Sequence, residues 1–149
     1  MKIEHILSVK NGFAIAGSSS KVIFYEKKKS PNSKTQYFQS KNKIELQKYI
    51  YNSVNNLILL NEDTFLIGLS SGELLQATLL SNKSDNGSHY KIEPCILHFH
   101  NKKINSMAIC ERKSIFVTCS SDKTVVVFNY LGRPNQKNAL NVKNTSTSK

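Results

Sequence analysis

The sequence predicts an all-β protein assembled from repeated, roughly four-stranded units, and three observations carry that prediction. Segments with the same order of residue types recur at intervals of about fifty residues. The apolar runs are short, rich in β-branched and aromatic residues, and broken by turn residues about every eight to twelve positions. No window sustains the spacing of an amphipathic helix. Asn42–Tyr51 comes nearest, and its Ile44, Leu46 and Tyr51 form no continuous stripe.

In the first unit Ile6–Lys10 is the predicted opening strand, and Asn11-Gly12 is a tight turn. Gly12–Ser19 follows as an apolar strand running into serines, then Val22–Tyr25 as a third strand. Lys27–Lys34 reads as an exposed hairpin loop, and Thr35–Leu46 as a more polar fourth strand. The second unit repeats the order with Asn56–Leu60, the turn Asn61-Glu62-Asp63, Thr64–Ser71 and Leu74-Leu75. Its loop is Ser81–His89, and its fourth strand Tyr90–His98, where Tyr90, Ile92 and Ile96 are the apolar positions. In the third unit Ile104–Cys110, the turn Glu111-Arg112-Lys113, Ser114–Ser121 and Val125–Phe128 take the same places. Phe13, Phe65 and Ile115 are the predicted corresponding positions, at intervals of 52 and 50 residues.

Four antiparallel strands in about fifty residues is the unit of a β-propeller blade. Blades are therefore expected at about 1–50, 51–99 and 100–132. From Arg133 through Lys149 there is no aromatic residue, and Leu140 and Val142 are the sizeable apolar groups. That stretch buries too little surface to offset the entropy of ordering and is expected to be a disordered basic tail over 133–149.

Composition limits the function classes. The 149 residues suit one domain, and 39% hydrophobic content excludes wholesale disorder. The densest apolar run, Leu57–Leu60, stops at Asn61, far short of the ~18 residues a membrane helix needs. Lys2, Glu4 and His5 stand where a secretory apolar stretch would begin, so no signal peptide is expected. Three cysteines without close spacing make no disulfide framework, and a reducing, intracellular setting is expected. The chain carries 21 Lys+Arg against 10 Asp+Glu, a net charge of +11, yet only Arg112 and Arg133 are arginine. Lysine is a hydrated point charge common on any surface, and the accompanying excess of Asn and Ser matches an AT-rich coding bias. Nucleic acid is not the expected partner.

The third unit resembles a WD-repeat. His100 precedes the strand beginning at Ile104, Ser120-Ser121-Asp122 occupies the tight turn, and Val125-Val126-Val127-Phe128-Asn129 closes the third strand. In that family the histidine, the turn aspartate, a Ser or Thr on the second strand and a closing Trp form a buried hydrogen-bonded cluster. The resemblance assigns those roles to His100, Asp122, Thr118 or Ser120, and Phe128. Phe128 and Asn129 replace Trp and Asp, so the indole donor is missing and a partial cluster is expected. The first unit is further degraded, with Ser19 at the aspartate position and Tyr25 at the Trp position; the second keeps Ser71-Gly72.

A closer resemblance runs through Ile104–Tyr130, around Cys110-Glu111-Arg112-Lys113-Ser114 and Val117-Thr118-Cys119-Ser120, and through Lys10–Gly17 with Val22–Lys27. These patches are similar, in the same order, to blades of the large cilia- and flagella-associated WD-repeat proteins of the motile axoneme. The resemblance implies a scaffold linked with the inner dynein arms, located in the cytoskeleton of the cilium axoneme. It also implies protein partners such as inner dynein arm subunits or tubulin. The alternative is a generic WD-repeat interaction module of an RNA-associated or trafficking complex. Propellers close with 4–8 blades, so three blades imply a segment of a longer chain, or closure by other copies or partners.

No cofactor, metal or enzymatic activity is expected. Cys95, His98 and His100 could be drawn as a zinc site, but the Cys-x-x-His-x-His spacing puts Cys95 on the opposite strand face from the two histidines. Cys110 and Cys119, in apolar strands, read as inert core thiols. No serine has the flanks of a nucleophile elbow, and Gly17 and its serines lack the Gly-Lys-Ser/Thr of a phosphate loop. Glu62, Asp63, Glu73 and Asp85 fall in turns and loops, where solvation explains them. The run Lys27, Lys28, Lys29 with Lys34 reads as a solvated loop or as a basic rim for an acidic partner.

Overall fold

The chain is described by a computed structural model over residues 1–31, 35–80, 89–95 and 100–129, leaving aside the side chains of His89, Glu111, Phe128 and Asn129. Three antiparallel sheets account for nearly all of it. The first holds β1 (Ile3–Val9), β2 (Gly12–Gly17), β3 (Ser19–Lys29) and β4 (Gln36–Glu45), each paired with its predecessor. The second repeats this meander with β5 (Val54–Asn61), β6 (Thr64–Leu69), β7 (Leu74–Leu80) and β8 (His89–Pro94). The third contains β9 (Ile104–Cys110), β10 (Ile115–Ser120) and β11 (Val125–Asn129). A fourth strand there would fall beyond residue 129, outside the described residues, as does the expected tail over 133–149. The helix-like window holds a single 3₁₀ turn, Gln47–Tyr49, on the path from the first sheet to the second.

The sheets stack face to face in chain order. They meet most closely along their opening strands, β1 against β5 and β5 against β9. Asn55 donates from Nδ2 to Glu4 Oε2 at 2.8 Å, and Asn56 donates to the Ile104 carbonyl at 2.9 Å, so side chains of β5 fasten both neighbouring sheets. Successive meanders of four, four and three strands, packed along their first strands, form a propeller-like arc.

Side-chain alternation explains the packing. On β6, Phe65, Ile67 and Leu69 join Ala14, Val22, Phe24 and Ile44 in the core between the first two sheets. Leu66 points the other way, into a second core with Leu74, Ile104, Met107 and Phe116. Every residue of β6 is buried, as expected of a strand covered on both faces. Among the described residues the third sheet is covered on one face. Phe116, Thr118 and Ser120 are buried against the second sheet, while Ile115, Val117 and Cys119 are part-exposed on the other.

Three sequence expectations change here. Phe116, not Ile115, occupies the position of Phe65. Gly72 and Lys123, both at positive φ, each lie seven residues beyond these aromatics. A one-residue slip exchanges the two faces of a strand, and the alternation of β10 identifies which face is buried. Lys27–Lys29 belong to strand rather than loop, paired with Phe38, Tyr37 and Gln36 at the end of a long β3–β4 hairpin. Cys110 is exposed and Cys119 part-exposed on the uncovered face; the buried thiol is Cys95, whose pKa burial pushes up to about 12.

Candidate interaction site and the His100 cluster

His100 lies just before β9, against the turn that joins β10 to β11, and is 2% exposed. Its Nε2 is 2.7 Å from Thr118 Oγ1. Its Nδ1 is 3.2 Å from Asp122 Oδ2 and 2.9 Å from Thr124 Oγ1. Asp122 also accepts the Asn101 and Thr124 amides, each at 2.9 Å, and the Thr124 hydroxyl. Burial works against the Asp122 charge, but the hydrogen bonds from Thr124, Asn101 and His100 outweigh it and hold the carboxyl well below the usual carboxylate range. An ionised carboxylate only accepts, and the Thr124 hydroxyl gives its own proton to Asp122, so the Nδ1 proton is shared between Asp122 Oδ2 and Thr124 Oγ1. Nε2 then accepts the Thr118 hydroxyl proton, and the chain Thr118–His100–Asp122 is satisfied at every member.

Four of the five cluster residues assigned from sequence come together. Thr118 takes the hydroxyl contact to the histidine. Ser120 plays a different part: its hydroxyl donates to the Lys102 carbonyl at 2.9 Å and accepts the Asp122 amide at 3.1 Å. The Phe128 side chain is outside the described residues. Thr124 was not anticipated, although a hydroxyl two residues after a turn aspartate is a recognisable signal for such bonding. The cluster pins the Asp122 turn to the segment entering β9, and with it the face the third sheet turns to the second.

Other candidates from sequence separate in space or lie outside the described residues. His98 and Lys34 are outside them, so the Cys95–His98–His100 grouping cannot be drawn. Among the described residues no three His, Cys, Asp or Glu side chains converge as a metal site. Likewise no helix is long and apolar enough to cross a membrane. Lys27, Lys28 and Lys29 are exposed, but Lys28 is held at 2.8 Å by Glu26, which also takes Lys41 at 3.0 Å. Lys27 and Lys29 stand on the outer face of the first sheet, beside a ring group in which Phe13 stacks on Tyr25 (centroids 5.1 Å apart) and meets Phe38 edge-on at 5.0 Å.

Both end faces of the stack carry exposed apolar side chains and are uncovered in the described chain. On the first sheet Ile6 is 64% and Phe38 50% exposed; on the third, Val125 is 56% exposed beside Val117 and Val127. Contiguous apolar sheet faces of this kind mark interaction surfaces.

The chain is 34% identical over 129 residues to cilia- and flagella-associated protein 57 A of Tetrahymena thermophila, covering 86% of this chain and 10% of that protein. It is 31% identical over 141 residues to cilia- and flagella-associated protein 57 C of the same organism, covering 87% of this chain and 10% of that protein. No protein-family model matches, and no solved structure does. Over most of its length, then, this stack of sheets is similar to one stretch of two cilia- and flagella-associated proteins, of which it spans about a tenth.

Proposed function

We propose that the chain is a non-catalytic, WD-repeat interaction segment of a scaffold in motile cilia or flagella, supporting inner dynein arm assembly on the axoneme. The observation that carries this reading is the similarity to cilia- and flagella-associated proteins over 86% of the chain. The architecture supports it: three blade-like sheets with both end faces uncovered suit a segment that continues into further sheets. The WD-repeat assignment draws its support from the His100–Thr118–Asp122 network in the third sheet. Lys27 and Lys29, exposed and without an ion-pair partner among the described residues, are the side offered to an acidic partner such as tubulin or a dynein-arm subunit.

The test is a denaturing immunoblot of axoneme and cell-body fractions, using an antibody raised against residues 104–130. The reading expects a band confined to axonemes. A band found in cell bodies and absent from axonemes would overturn it.

A further inference from the structure

A cleft of about 590 Å³ opens between the first and second sheets, within the ~300–1,000 Å³ range of ligand-binding clefts. The β1–β2 and β5–β6 turns border it, so it lies at the opposite end of the strands from the serine and Asp122 turns. Its floor is aromatic. Phe24 and Tyr90 stack with centroids 5.6 Å apart and rings nearly parallel, and Phe65 meets both edge-on at 5.3 and 6.1 Å.

Three carboxylates, Glu26, Glu62 and Asp63, and two lysines, Lys10 and Lys41, line it. Glu26 is saturated by Lys28 and by Lys41, the latter presented by the bulge where β4 slips register against Phe24 and Tyr25. Glu62 pairs with Lys10 at 3.7 Å, both side chains more than three-quarters exposed. That leaves the Asp63 carboxylate, which has no cation partner among the described residues. Its backbone is fixed: the Asp63 amide donates to Asn61 Oδ1 at 3.0 Å and its carbonyl accepts the Leu79 amide at 2.7 Å. Asp63 and Tyr90 line the same cleft, and burial first, then the Asp63 charge, raise the pKa of the Tyr90 hydroxyl.

We propose that this cleft is a docking pocket for an arginine side chain of a partner protein, its guanidinium laid against the part-exposed Tyr90 ring and paired with Asp63. Arginine fits because its planar, weakly hydrated head both stacks on rings and forks onto a carboxylate, while its methylene stem matches the apolar walls. The inference does not depend on the ciliary reading. It concerns a different surface from Lys27 and Lys29 and a partner of opposite charge.

The probe is the peptide Gly-Leu-Arg-Leu-Gly, acetylated and amidated, titrated calorimetrically into the full chain beside the same peptide with Glu at the centre. Any non-specific attraction to a chain of net charge +11 favours the Glu peptide, so a preference for Arg reports on the cleft. Saturable binding of the Arg peptide, about tenfold tighter than the Glu peptide, is the expected result. Asp63→Asn should weaken the Arg peptide about tenfold without unfolding the chain, because the turn is held by backbone groups. Lys27→Ala should leave it unchanged. Equal binding of the two peptides, no saturable binding, or an Asp63→Asn chain with undiminished affinity would each overturn the proposal.

Discussion

The β6–β7 and β10–β11 turns are built on the same frame and held by different means. Each has its positive-φ residue seven positions after a buried phenylalanine, Gly72 at 96° and Lys123 at 70°. In each, a backbone amide two residues on is accepted by a side chain, Glu73 N–H by Ser71 Oγ and Thr124 N–H by Asp122 Oδ1. Around Asp122 a buried histidine completes a polar lock. In the second sheet Tyr49 stands at the spacing of His100 and packs against the first core, and Ile67 stands where Thr118 does. The second sheet is covered on both faces, so hydrophobic packing suffices to hold its turn. The third is covered on one face, and a satisfied hydrogen-bond network supplies the specificity that packing lacks. The β6–β7 turn also touches the segment that enters β9. A Cβ on Gly72 would lie 2.4 Å from the His100 carbonyl oxygen, so the lock of one sheet rests on the glycine of the other.

The largest effect is expected from removing the lock. His100→Ala leaves the buried Thr118 hydroxyl without its partner, removes one of the bonds to Asp122 and opens a cavity, costing about 3–4 kcal/mol in urea unfolding followed by far-UV circular dichroism. Tyr49→Ala, on the packed rather than the hydrogen-bonded side of the comparison, should cost less. Next is Gly72→Ala. It combines an unfavourable left-handed backbone with contact against the His100 and Lys102 carbonyls, about 2–3 kcal/mol.

Asp122→Asn follows, at about 1–2 kcal/mol near neutral pH. Its effect depends on pH with a definite sign. The folded-state pKa of Asp122 is depressed, so its contribution is fully present above the unfolded value of about 3.9 and is lost as pH falls towards the lower folded value. The stability gap between the native chain and Asp122→Asn should therefore close below about pH 4 and stay open at pH 7. The smallest change is a gain. Lys123→Gly removes a side chain from a positive-φ position and should stabilise by about 0.5–1 kcal/mol in the same assay. A loss there would mean that the lysine stem is supporting the turn.

Much of this was legible in the sequence, for a physical reason. Strands of period two broken by Asn-Gly, serine and aspartate turns announce themselves locally, so Ile104–Cys110 was placed to the residue and Asn56–Leu60 fell inside β5. Facing was harder to see. Ile115 and Phe116 are both apolar neighbours on one strand, and only the covering sheet decides which is core. The Lys27–Lys29 run was legible as exposed but not as strand, because a lysine-rich hairpin arm gains its order from pairing with β4 rather than from its own residues. At the His100 cluster the residue types showed the donors and acceptors. Thr124 and the Asn101 amide became partners only once the turn brought residues far apart in sequence together. The Phe24–Phe65–Tyr90 floor spans two sheets, and no local pattern carries it.

In this stack of like sheets the third is held by its own polar lock and the second by coverage on both faces. Hydrogen exchange read by mass spectrometry on the native chain and on His100→Ala tests it most directly. The substitution should speed exchange in β9–β11 while β6, buried throughout, remains the slowest-exchanging strand. Equal acceleration in the second and third sheets, or a β6 that exchanges as fast as β10 in the native chain, would contradict it.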